Sequence, residues 1–257
     1  MRIPSSPHHL GREGELFGMY HAASGTARAT VLLCPPLGQV LVRTHRIYRQ
    51  LATTLANQGI ASLRFDYYGT GDSAGDGLAL DWNRCVADVA TAASELRALS
   101  SCQRVVGFGA RLGGSLALEA ASSAGFERLI LWDPILDGSH YVARMDAMQE
   151  ELRVDPLHYT QPRTVEEVAN QWLGFGISAH WRAQVDAYRA AAPTVPTHVI
   201  DSLPASSPAS WDVLARGGAG VTRVQPATQW EDLHRLEHAI LAPGMVQAVI
   251  SQLQETA

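Results

Sequence analysis

Cysteine is scarce in this chain. Its three copies, Cys34, Cys85 and Cys102, form no CxxC pair and no metal-ligand spacing. That argues against a zinc knuckle or a disulfide framework, and no bound metal is expected. The odd count, with no apolar leader in residues 1–10, points to a reducing compartment, and a cytoplasmic protein is expected. Long hydrophobic runs are also missing. The longest, 29–42, is broken by Pro35, Pro36 and Gly38, so no membrane span is expected. Basic charge is not in excess: Lys plus Arg is 20 against 25 Asp plus Glu, a net charge of -5. A nucleic-acid partner needs a basic face and is therefore disfavoured. No phosphate-loop motif is present, and no cofactor is expected. Apolar types at 46% and charged types at 18% exclude global disorder.

What the chain does contain is alternation. Short apolar, β-branched runs at Leu16–His21, 29–34, Ala61–Phe65, 104–108, 129–132, 197–200 and 221–224 are separated by helical patterns. The spacing predicts an α/β fold with a mainly parallel sheet flanked by helices. A helix over 44–58 is stopped by Gly59. A second is capped by Asp81 and shows Cys85, Val89, Ala93 and Leu96 on one face. A third occupies 112–121, and the last lies near 244–253.

Residues 137–192 break the alternation, with amphipathic pieces at 140–152, 165–173 and 177–191 and no strand pattern. The expectation is a helical cap insertion between two parts of one core, 1–136 and 193–257. Its aromatics, Tyr141, Tyr159, Trp172, Phe175, Trp181 and Tyr188, suit a lid over a partly apolar small molecule. His8 and His9 are expected to lie in a disordered, solvated end, and Arg43-Thr44-His45-Arg46 to open a helix in solvent.

Chemistry concentrates after the strand at 104–108, where Gly109-Ala110-Arg111-Leu112-Gly113-Gly114 runs straight into a helix. Strand, sharp glycine-flanked turn and immediate helix make a nucleophile elbow. Gly109 and Gly113 leave room for a strained central residue, Arg111, whose side chain is thrust into a pocket. The N–H of Leu112 is aimed where an oxyanion develops.

With these residues the sequence resembles the α/β-hydrolase superfamily. It looks most like the bacterial serine-aminopeptidase-type branch, including the hydrolase-like proteins associated with exosortase systems. Cys34-Pro35-Pro36-Leu37-Gly38 stands where that family has its first oxyanion loop. Asp66-Tyr67-Tyr68-Gly69-Thr70-Gly71-Asp72-Ser73 resembles its Asp-x-x-Gly-x-Gly-x-Ser turn, and the insertion falls where its cap falls. The resemblance implies an ester-, thioester- or amide-directed site. It implies an acid at Asp201, or at Asp133 after the preceding strand, and a histidine at His238, with His234 second.

The departure is Arg111, which stands where the family has Ser, Cys or Asp. A guanidinium is permanently charged and is no nucleophile. Ser115 and Cys34 are the alternative nucleophiles, each weaker than its structural reading as a helix serine or a buried strand end. Arg111 needs a counter-charge: an internal one, Asp133 or Asp201, which is favoured, or an external carboxylate, phosphate or enolate. Two functions stand open, with a protein-interaction module built on the insertion as a weaker third. One is an enzyme with an atypical, serine-free site in a biosynthetic pathway, with His238 activating water. The other is a catalytically inactive small-molecule-binding or accessory protein.

Overall fold

A computed structural model describes residues 5–27, 29–207 and 209–254. Eight strands form one sheet: β1 (Ser5–Leu10), β2 (Leu16–His21), β3 (Thr30–Cys34), β4 (Ala61–Phe65), β5 (Val105–Ala110), β6 (Arg128–Trp132), β9 (Thr197–Asp201) and β10 (Gly220–Arg223). Their order is β1-β2-β4-β3-β5-β6-β9-β10. From β4 onward neighbours are parallel, and β1 and β2 run antiparallel at one edge.

The central strands are apolar on both faces because both faces are covered. On β3, Val31 and Leu33 pack with Ile47, Leu51 and Leu55 of α1 (Gln39–Asn57) and with Met245 and Val249 of α7 (Pro243–Gln254). Leu32 faces Val89 and Leu96 of α2 (Trp82–Ser100) and Leu116 of α3 (Leu112–Glu119). Asp81 caps α2, its carboxylate accepting the Arg84 N–H at 2.8 Å. Gly59, at φ 76°, takes the left-handed step that ends α1.

Several expectations change. Residues 8 and 9 are not a loose end. They lie in β1, which pairs with β2 along its length, and the His8 and His9 rings meet Tyr20 and Phe17 edge-on. A polar edge strand carries no apolar signal of its own, and only its partner reveals it. Helix α1 starts at Gln39, five residues before the expected Thr44 and directly after Gly38. Arg43 and Thr44 are buried rather than solvated, whereas His45 and Arg46 are exposed.

The insertion holds two helices, α4 (Gly138–Arg153) and α5 (Ala179–Ala187). The piece expected over 165–173 is not a helix. It turns and then forms a hairpin, β7 (Gln171–Trp172) with β8 (Phe175–Gly176). Leu173 and Gly174 have φ of 52° and 89°, the sign a two-residue type I′ turn requires. The hairpin sits on α4 through Trp172 Nε1 donating to Asp146 at 2.9 Å and Leu173 N–H donating to Gln149 at 2.6 Å. A short α6 (Asp212–Arg216) connects β9 to β10. Among the described residues no helix is long and apolar enough to cross a membrane.

Candidate active site

The turn after β5 is drawn tight by its glycines. A Cβ on Gly109 would lie 2.5 Å from the Gly113 carbonyl oxygen, and one on Gly113 would lie 2.2 Å from that of Pro35. The first turn of α3 therefore seats directly on the loop after β3, bringing Leu112 and Leu37 to one place. Arg111 at the apex has φ 50° and ψ -128°, a conformation non-glycine residues rarely adopt. Arg111 is the single residue between β5 and α3.

Two cavities meet at this elbow. One, about 280 Å³, lies under the insertion and is lined by Leu37, Gly38 and Leu112 below and Met145, Met148, Trp172 and Trp181 above. Of the expected lid aromatics, Tyr141 and Phe175 also line it, but Tyr159 and Tyr188 do not: Tyr159 lies against the Arg163 guanidinium and Tyr188 against the Trp82 ring. The Asp66–Ser73 turn supplies Gly69, Thr70 and Gly71 to the rim. Asp66 shapes that turn by accepting the Asp72 N–H at 3.0 Å, and the Ser73 hydroxyl donates to the Asp66 carbonyl at 2.6 Å. The second cavity, about 580 Å³, is bounded by Arg111, Ile135, His140, Arg144, Leu203, Trp211 and Glu231, among others. Tyr141 and Trp230 line both and separate them.

Arg111 is 7% exposed. Its carboxylate partner is neither Asp133 nor Asp201 but Glu231, which accepts from Nη2 at 3.3 Å. Nη1 reaches only the Asp133 carbonyl, at 3.5 Å, and Nε is buried with no partner. The guanidinium carbon sits 5.5 Å from the centre of the Trp230 ring. The other oxygen of Glu231 accepts from Arg144 Nε at 2.8 Å, so one carboxylate bridges two cations.

Asp133 is fully buried and has φ 44°. Its carboxylate accepts the Ser202 N–H at 2.8 Å, the Ser202 hydroxyl at 2.5 Å and the Trp230 indole N–H at 2.8 Å. Burial pushes its pKa up, and these donors and the nearby Arg111 charge pull against that. Asp201 is engaged elsewhere, bonded to Arg223 at 2.5 Å and accepting the Leu203 N–H at 3.0 Å.

His238 and His234 are both exposed, and neither lines the two cavities at the elbow. His238 contributes only its carbonyl, which accepts from Arg43 Nε at 3.3 Å. The position facing the acid belongs to Trp230, in the same loop between β10 and α7. An indole donates one hydrogen bond and has no second nitrogen, so it can orient on a carboxylate but cannot take a proton from a neighbour. Trp230, Glu231 and Arg144 were not among the sequence candidates. The one available signal was the loop itself, where the resemblance sought a histidine.

Ser115 is fully buried, and its hydroxyl donates to the Ile135 carbonyl at 2.6 Å. Cys34 is fully buried, and burial drives its thiol pKa far above the ordinary range. Neither lines the two cavities at the elbow. The chain contains no lysine, so a side-chain amine nucleophile is absent as well.

The family model described as serine aminopeptidase, S33 matches residues 25–198. No curated protein matches the chain. Among solved structures it is similar to Est1E from Butyrivibrio proteoclasticus, at 14% identity over 98% of both chains and a TM-score of 0.62. A thermostable carboxyl esterase from Bacillus coagulans is 13% identical over 99% of both chains, with a TM-score of 0.61. The bottromycin epimerase BotH is 20% identical over 90% of this chain and 94% of its own, with a TM-score of 0.55. The match covers most of the chain, the mainly parallel sheet agrees with it, and the protein belongs to the serine aminopeptidase S33 family of the α/β-hydrolase superfamily.

Proposed function

We propose that this chain is a member of its family without a serine at the elbow, that it binds a partly apolar, anionic small molecule and that it forms no acyl-enzyme. One observation carries the reading: the acid Asp133 is satisfied by the indole of Trp230, and the apex beside it is a guanidinium. A triad needs a nucleophile, a base and an orienting acid. Only the acid has its usual chemistry here. Esterases and an epimerase share this fold, so the fold does not choose the reaction.

The test is direct. A fluorophosphonate probe is expected to leave the protein unlabelled by intact mass spectrometry, and p-nitrophenyl esters and acyl thioesters are expected not to turn over. Labelling of any serine would overturn the reading. An anionic acyl ligand is expected to raise Tm in the wild type and not in Arg111→Ala.

A second reading is enzymatic without acyl transfer. His140 lines the larger cavity and is exposed there, an imidazole able to move a proton on a bound ligand. Turnover lost in His140→Ala would favour it.

A further inference from the structure

The larger cavity already holds a carboxylate, and it belongs to the protein. Glu231 spans Arg111 on the elbow and Arg144 on α4, at 3.3 and 2.8 Å. The Arg111 half of this bridge is poorly made. Nε and Nη2 form one edge of the planar guanidinium, the edge that grips a carboxylate with two parallel bonds. Here Nη2 has a long bond and Nε, buried, has none. A buried cation with an unsatisfied donor is costly, and a better-placed anion gains what Glu231 leaves unused. Glu231 itself is 40% exposed at its side chain, so it can turn into water with little loss. The wall around the two arginines is mixed: Ile135, Leu136, Leu203 and Trp211 give it an apolar side, while Ser206, Ser207 and Ser210 and the carboxylates Asp137 and Asp232 give it a polar one.

We propose that Arg111 and Arg144 form a carboxylate subsite for an alkyl or aryl carboxylic acid, and that Glu231 is its built-in competitor, displaced when the ligand binds. The proposal rests on the non-covalent reading above and names the ligand class for it. The carboxylate takes the Nε–Nη2 edge of Arg111 and the Nε–H of Arg144. The hydrocarbon part lies against the apolar wall within the cavity of about 580 Å³.

Removing a competitor raises apparent affinity, whereas removing a structural strut lowers it. The experiment is calorimetric titration of the full-length protein with octanoate, 3-phenylpropanoate and octanol. Wild type is expected to bind both carboxylates in preference to octanol. Glu231→Gln is expected to bind octanoate about tenfold more tightly, because the fraction of open site rises. Arg144→Gln and Arg111→Gln are expected to weaken it by a similar factor. Glu231→Gln removes the negative charge that Arg111 and Arg144 share and leaves Arg144 with Glu151 alone, at 3.5 Å, so its Tm falls, and octanoate restores more Tm there than it adds to wild type. Unchanged or weaker octanoate binding in Glu231→Gln would overturn the proposal, as would octanol binding as tightly as octanoate. Fluorophosphonate labelling strikes the serine-free reading alone, and the Glu231→Gln titration strikes the competitor alone.

Discussion

At the residue scale, the function proposed above turns on two side chains taken to stand where a hydroxyl and an imidazole would complete a triad. Arg111 occupies the strained apex, and Trp230 donates to the buried acid. Restoring one partner is therefore not enough. Arg111→Ser places a hydroxyl at the elbow with no base beside it, and Trp230→His supplies a base with nothing to activate. The double variant lets an imidazole bond Asp133 and face the hydroxyl. Fluorophosphonate labelling is expected in the double variant and about a hundredfold slower in Arg111→Ser alone, the lower range of a general base's contribution. Equal rates would show that the Asp133–Trp230 pair does not mark the triad position. Trp230→His also removes a buried ring tilted at 59° against Trp132, 4.6 Å between centres, a loss of about 3 kcal/mol, so labelling is best measured well below Tm.

At the element scale, the loop between β10 and α7 is held in place from α1. Arg43 is 3% exposed and donates to the carbonyls of Trp230 at 2.7 Å, Gln229 at 2.8 Å and His238 at 3.3 Å. It thus fixes the segment that presents Trp230 and Glu231. Arg43→Met keeps the apolar stem and deletes the donors. It is expected to cost about 2 kcal/mol, the order for buried carbonyls left unpaired. Hydrogen exchange over residues 229–240 is expected to quicken, and unchanged exchange there would contradict the positioning role. Legibility at this scale followed burial. The strands with two apolar faces and the helices with Asp81 and Gly59 at their ends stood out in the sequence. The edge strand β1 and the hairpin β7–β8 did not, because their order comes from β2 and from Gln149 and Asp146 on α4.

At the scale of the whole molecule, the cap and the sheet share one core. A single apolar cluster runs from Leu32 and Leu116 through Met145, Trp172, Trp181 and Val185. Trp82 of α2 is its hinge point. It lies 4.6 Å from the Tyr188 ring and 6.0 Å from that of Trp181, and its indole N–H donates to Glu119 at 2.8 Å. Calorimetry is expected to show one transition for sheet and insertion together. Trp82→Ala is expected to lower that transition by the equivalent of about 3–5 kcal/mol without splitting it. Two separate transitions would mean that the insertion folds on its own.

By itself the amino-acid order determined the mainly parallel sheet and placed glycines on either side of Arg111, between β5 and α3. These rest on local pattern: apolar periodicity, and glycines where a Cβ would meet backbone at 2.5 Å or less. Only the tertiary structure decided the partners. Asp133 and Asp201 were equal candidates along the chain, yet the fold turns one toward Trp230 and ties the other to Arg223. Glu231 meets Arg111 across 120 positions of sequence, and His238 is left in solvent. The physical reason is that a side chain's ionic and hydrogen-bonding partners are set by loop paths fixed elsewhere, here by Arg43, and no local pattern records them.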